Sequence, residues 1–198
     1  MILSLDASTQ RGSVALVSDR RLMQEFSIDT PRGRGGALFS ALEEILRDTP
    51  NLRRVVVGVG PGSYNGIRSA VAAAWGIATA RGVPLVGISS LLGLDDASYC
   101  AVGDARRGQY FLARITDGNF VTEPMLLEKD QLEAALHETP HLPVFASAPI
   151  DFLQGVIIRT PSAARLGFLA ANWPPNHPLP LYLKAAHITT PRSASDRS

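Results

Sequence analysis

Five groups of residues in this chain have types and spacings that could do chemistry. The first lies in Arg53 to Gly82, RRVVVGVGPGSYNGIRSAVAAAWGIATARG. The β-branched run Val55 to Val59 reads as a buried strand, and Gly58, Gly60, Pro61 and Gly62 break it before a helix that Ser63 or Asn65 can cap. A strand, a glycine loop and a helix can cradle an anion, because N–H groups at a helix N-terminus have no partner within the helix. The spacing is not GxxxxGK[ST], and GVGPGS departs from GxGxxG at its last glycine. A rigid turn serving helix packing is therefore expected, with a nucleotide cradle as the alternative. The second group is Asp6 and Asp104, which open the polar turns Asp6-Ala7-Ser8-Thr9 and Asp104-Ala105-Arg106; carboxylates there cap nearby backbone donors or, alternatively, hold Mg²⁺.

The third group, His137-Glu138-Thr139-Pro140-His141, matches HExxH, whose chemistry needs two histidines one helical turn apart. Pro140 would break that helix, so no zinc site is expected. His137, His141, His177 and His187 all lie in the second half of the chain and read as surface residues. The fourth, Ser63 in GPGSYNG, is not GxSxG and has no histidine in the same half. The fifth, the pairs Arg53-Arg54 and Arg106-Arg107, reads as solvated surface, with RNA contact as the alternative. No catalytic, cofactor or metal site is expected from these residues.

The elements that must position these groups belong to a folded chain. Of 198 residues, 45% are hydrophobic and 19% charged, which excludes global disorder. A net charge of +1 gives no overall electrostatic footprint for nucleic acid, so any RNA contact would be local or shared with a partner. Cys100 is the single cysteine, which excludes an internal disulfide and fits a reducing compartment. The segment MILSLDAST lacks a basic n-region and meets Asp6 early, unlike a signal peptide, and no apolar run approaches the ~20 residues of a membrane helix. A cytoplasmic protein is expected.

Taken in order, Met1 to Leu5, Gly12 to Val17 and Arg21 to Ile28 read as an antiparallel meander. Ala37 to Arg47 is an amphipathic helix with Leu38, Leu42, Ile45 and Leu46 at helical spacing. The central strand follows, then a helix of small residues that looks built to be packed against, then a strand Pro84 to Ile88 and a short helix from Ser89. From Tyr99 the pattern begins again: strands at Tyr99 to Gly103, Gly108 to Ile115 and Phe120 to Leu127, a helix Asp130 to His137, strands Pro143 to Ala146 and Gly155 to Arg159, and a helix Ser162 to Asn172. Aligning the halves sets Asp6-Ala7 on Asp104-Ala105. The expected fold is α/β, a duplicated βββαβα unit in two lobes with the second trimmed. Residues 1–95 form the first lobe, 96–188 the second, and 189–198 a disordered tail.

These residues resemble the actin-like ATPase superfamily and, within it, the bacterial TsaB (YeaZ) family. The carrying motifs are ILSLDAST, VGPGSYNGIR, VPLVGISSL, DARRGQYF and PLYLK, which span nearly the whole chain. The resemblance implies a non-catalytic subunit that dimerises with a TsaD-like threonylcarbamoyltransferase and supports threonylcarbamoyl modification of the adenosine 3′ of the anticodon in tRNA. A TsaE-like ATPase would join through the complex, tRNA would be met only through the complex, and a homodimer is possible. Actin-like ATPases grip phosphates with an aspartate followed by glycine in each half. Neither DAST nor DARR has that glycine, so the nucleotide site reads as degenerate and no cofactor is expected. An active ATP-dependent phosphotransferase or carbamoyltransferase is the alternative, with weak tRNA binding third. The expected partner interface joins the helix Ile67 to Ala80 with the helix Ala37 to Arg47, through Leu38, Leu42, Arg68, Ala70, Ala73, Ala74 and Ile77.

Overall fold

The structure is a computed structural model that describes residues 1–29, 36–47, 49–95 and 97–183. Strands β1 (Ile2–Asp6), β2 (Arg11–Ser18) and β3 (Arg21–Asp29) are followed by helix α1 (Gly36–Arg47), β4 (Arg54–Gly58), α2 (Tyr64–Arg81), β5 (Leu85–Ile88) and a short 3₁₀ turn, Ser90–Gly93. The second half holds β6 (Tyr99–Asp104), β7 (Gln109–Thr116), β8 (Asn119–Glu128), α3 (Lys129–His137), β9 (Val144–Ala146), β10 (Ile157–Ile158) and α4 (Ala163–Leu169), with a 3₁₀ turn Ala170–Asn172. The expected tail, residues 189–198, and Lys184 of PLYLK lie outside the described residues, as does most of the Thr30 to Gly36 connection.

Each half forms one five-stranded sheet. The first runs β3-β2-β1-β4-β5 and the second, read from its other edge, β8-β7-β6-β9-β10. The spatial order is the same in both. In each the first three strands are antiparallel and the fourth lies parallel to the first, so that Leu3 pairs with Val55 and Ala101 with Phe145. The trimming is the helix that should follow β9: residues 147–156 are turns, where the first half has α2. This is the two-lobed actin-like α/β fold expected from the sequence.

Helix α2 forms because its start and end are both satisfied. Ser63 accepts from the Gly66 N–H at 3.3 Å, and Gly82 ends the helix at φ 61°. Its buried stripe is Ile67, Ala70, Val71, Ala74 and Ala78, three to four residues apart, and it packs on the first sheet beside α1. The small residues thus bring the helix close to strands of its own lobe. On the opposite face of that sheet, α4 covers Ala15 and Val17 through Ala163 and Ala164. A second core joins the halves: Val56, Val86 and Ile88 of the first sheet meet Tyr99, Ala101 and Ile115 of the second, with Leu166 of α4 between them. The buried Tyr99 hydroxyl donates to the Leu91 carbonyl at 2.7 Å, and burial pushes its pKa up to about 12.

The helix expected over Ser162 to Asn172 is shorter and ends as a 3₁₀ turn. Pro174 has no N–H to offer the Ala170 carbonyl, so the α-helical ladder stops there, and the Arg54 guanidinium donates to that carbonyl at 2.8 Å and to the Trp173 carbonyl at 2.6 Å instead. The chain then returns to the first sheet as an irregular strap. Asn176 N–H donates to Leu85 O (3.1 Å), Gly87 N–H to Asn176 Oδ1 (2.7 Å) and Leu181 N–H to Val59 O (2.7 Å). No helix among the described residues is long and apolar enough to cross a membrane.

Candidate functional site

The glycine loop and the first aspartate turn meet. Asp6, at the end of β1, is 0% exposed. Its Oδ1 accepts from the Ser8 N–H at 2.9 Å and the Ser8 hydroxyl at 2.7 Å, while Oδ2 accepts from the Ser90 hydroxyl at 2.5 Å. Burial pushes its carboxyl above the ordinary carboxylate range, and the hydrogen bonds from Ser90 and Ser8 pull part of the way back. A cation could reach these oxygens only by displacing hydroxyl donors the protein already supplies. The carboxylate holds a turn.

The loop lies directly on that turn. Ser63 N–H donates to Ser8 O at 2.6 Å, and Ser90 N–H donates to Gly60 O while its hydroxyl accepts from Gly60 N–H, both at 2.9 Å. A Cβ at Gly58 would sit 1.8 Å from Asp6 Oδ2, and one at Gly66 2.0 Å from the Ala7 carbonyl oxygen. These two positions are glycine because the Asp6 turn occupies the space a side chain would need. The expectation of a rigid turn holds, with one difference: its glycines admit the neighbouring turn and not a second helix. Ser90 belongs to the VPLVGISSL motif, but nothing in a one-dimensional reading places it beside Asp6.

The second aspartate turn is built alike but open. Asp104 Oδ1 accepts from the Arg106 N–H at 2.6 Å, and Arg106 and Arg107 adopt φ 69° and 58° with exposed side chains. Helix α3 ends at His137, so His137 and His141 do not share a helical face; Glu138 pairs with Arg114 at 3.0 Å instead. His177 stacks on Trp75 with ring centroids 5.3 Å apart. His187 lies outside the described residues.

The expected interface residues separate into two sets. Leu38, Leu42, Ala70 and Ala74 are buried in the core of their own lobe, which leaves them no surface to offer. Their helical spacing made the stripe legible, but a stripe facing its own sheet has the same spacing as one facing a partner. Ala73 and Ile77 are half-buried at its edge, and Arg68 is exposed. Residues outside the expected set complete the outward face: Phe39 on α1 is 55% exposed, Tyr64 47% and Trp75 36%. Arg68 donates to the Tyr64 hydroxyl at 2.6 Å with its guanidinium over the ring, and Tyr64 stacks on Tyr182 of the strap at 5.2 Å. Two bulky aromatics in an otherwise small-residue helix were the available signal.

A family model described as TsaD: tRNA N6-adenosine threonylcarbamoyltransferase matches residues 36–128. The Escherichia coli tRNA threonylcarbamoyladenosine biosynthesis protein TsaB is 27% identical over 124 residues, 57% of this chain and 53% of its own length. The Bacillus subtilis protein of the same name is 27% identical over 143 residues, 67% of this chain and 62% of its own. The chain thus spans little more than half the length of these curated relatives. An uncharacterised Mycobacterium tuberculosis protein is 30% identical over 198 residues, covering 92% of this chain and 91% of its own. Among solved structures, YeaZ from Pseudomonas aeruginosa superposes with a TM-score of 0.61 at 20% identity, over 85% of this chain and 89% of that one. A Pseudomonas aeruginosa protein described as similar to the peptidase YEAZ reaches 0.75 at 21% identity, over 92% and 99%. Sequence relatives and superposed folds converge, and the chain belongs to the TsaB (YeaZ) family of actin-like proteins.

Proposed function

We propose that this chain is a non-catalytic subunit that pairs with a TsaD-like threonylcarbamoyltransferase and supports threonylcarbamoyl modification of the adenosine 3′ of the anticodon in tRNA. The observation that carries the reading is the sealed Asp6 turn, because a carboxylate buried under its own glycine loop and saturated by hydroxyl donors is poorly placed for phosphate chemistry. The names of the relatives support the pathway, and the likeness to TsaD over residues 36–128 supports a TsaD-like partner. The surface offered is the outward face of α2 with Phe39, where tyrosine, tryptophan and arginine gather as they do at interface centres. A TsaE-like ATPase joins through the complex, and the same face serves a homodimer when no partner is present.

The test is capture of the cell's TsaD-like protein by the tagged chain, alongside thermal melting. Arg68→Glu and Ala72→Arg, both on the exposed face of α2, should melt like the unsubstituted chain and lose capture by at least about thirtyfold, equivalent to ~2 kcal/mol. Two folded variants that still capture the partner would refute this surface. Failure of the unsubstituted chain to capture it would refute the function.

A further inference from the structure

At the end of the first sheet away from the Asp6 turn lies an open groove of about 1020 Å³, between the β2–β3 turn, the loop entering β4 and the end of α4. Its lining carries Arg20, Arg53 and Arg54 against one acid, Asp19, with Leu52 and the half-buried Phe168 as apolar wall. Arg54 is committed to the carbonyls of Ala170 and Trp173, and Asp19 accepts from the Ser18 hydroxyl at 3.1 Å. Arg20 and Arg53 are exposed, and among the described residues neither is paired with an acid. In a chain of net charge +1, two uncompensated guanidinium groups on one trough are a local concentration of charge.

Arg20 also stands where another residue would fit the backbone better. Asp19 and Arg20 turn the β2–β3 hairpin at φ 49° and 60°; the matching turn between β7 and β8 is Asp117-Gly118, at φ 50° and 72°. Left-handed backbone at the second turn position favours glycine, so the first lobe carries a long cationic side chain at some cost in strain.

We propose that this groove binds the phosphate backbone of an RNA strand, with Arg20 and Arg53 each engaging a phosphate. Guanidinium forks match phosphate oxygens in geometry as well as charge. Two arginines on separate loops along an open trough suit a strand better than a free phosphate ion, which needs donors converging on one point. The choice of RNA as the source of the phosphates rests on the proposed role in tRNA modification; the groove and its unpaired arginines do not.

Fluorescence anisotropy of a labelled RNA stem-loop, titrated with the full chain at several salt concentrations, tests the proposal. The unsubstituted chain should bind at low salt. The double variant Arg20→Ala/Arg53→Ala should melt unchanged, bind about tenfold or more weakly, and show a log–log salt slope shallower by about 2, one unit for each phosphate no longer engaged. Arg107→Ala, an exposed arginine of the second lobe, should change neither quantity, and millimolar inorganic phosphate should not displace the RNA. Equal weakening by Arg107→Ala would reduce the effect to diffuse charge and overturn the site. Displacement by inorganic phosphate would make it a small-anion pocket, and absence of RNA binding by the unsubstituted chain would also overturn it. The double variant should still capture the TsaD-like partner. Loss of RNA with retained capture separates this site from the proposed function, whose own failure would be loss of capture by the unsubstituted chain.

Discussion

Ser90 donates its hydroxyl proton to the carboxylate of Asp6, 84 residues earlier, and accepts the N–H of Gly60 on the same oxygen. Three segments distant in sequence, the end of β1, the glycine loop and the turn leading to the second lobe, are thereby fixed to one another through two side chains. All of these atoms are buried, so each hydrogen bond removed would leave a polar group without water, a cost of about 1–3 kcal/mol.

That network makes stability depend on pH through Asp6. Burial raises its folded pKa above the ordinary 3.8, so the folded chain holds the proton more tightly than the unfolded chain. The contribution is fully present below 3.8 and is lost as pH rises through the folded value. Asp6→Asn removes this dependence while keeping the shape. The melting temperature of the unsubstituted chain minus that of Asp6→Asn should therefore rise as pH falls from neutral towards about 4. A difference that is flat with pH, or falls, would contradict the assignment. Asp6→Ala should be destabilised at every pH.

Two glycines should respond to alanine with opposite signs. At Gly66 a Cβ would press on the Ala7 carbonyl oxygen at 2.0 Å, and backbone cannot swing aside, so Gly66→Ala should cost about 1–3 kcal/mol or more. At Gly76, exposed on α2, a Cβ meets nothing within 4 Å, and Gly76→Ala should stabilise by about 0.5–1 kcal/mol. Urea midpoints of the two variants measure both effects; a Gly66→Ala variant as stable as the unsubstituted chain would show that the start of α2 does not rest on the turn.

Ala74 lies against the sheet at 0% exposure, so Ala74→Arg should unfold the first lobe by burying an unpaired charge. Ala72, two residues away, is exposed and should accept arginine with no more than about 0.5 kcal/mol of change. Circular dichroism melts of the pair read out which side of α2 faces inward. Loss of structure in both, or in neither, would contradict that orientation, and loss in Ala72→Arg alone would reverse it.

ATP with Mg²⁺ should leave the melting temperature of the isolated chain unchanged and should not be hydrolysed by it. A ligand at a hundred times its dissociation constant stabilises by about 2.7 kcal/mol, which a melting curve detects easily. Saturable stabilisation together with turnover would favour the active phosphotransferase instead.

Much of the fold was legible in one dimension because it depends on local regularities. Alternation and β-branching located the strands within a residue or two, the 3.6-residue stripe located α1, a glycine break with a capping residue and a run of small residues located α2, and the return of an aspartate turn after Tyr99 revealed the duplication. The strand between Gly155 and Arg159 shrank to Ile157–Ile158, an exposed edge with little to bury, and the carbonyl that Pro174 leaves without an α-helical partner at Ala170 is taken by Arg54, 116 residues earlier.

By itself the sequence determined that Asp6 and Asp104 would make turns, that Pro140 would end a helix near His137, and that α1 would carry an apolar stripe. Each follows from backbone preference within a few residues. Only the tertiary structure decided what those features touch. Leu38, Leu42, Ala70 and Ala74 turn towards their own sheet, Phe39, Tyr64 and Trp75 turn away from it, and Arg20 and Arg53 reach one groove from loops more than thirty residues apart. Periodicity fixes that a helix has two faces; which face is covered depends on contacts between segments distant in the chain, and those exist only once the sheet has formed.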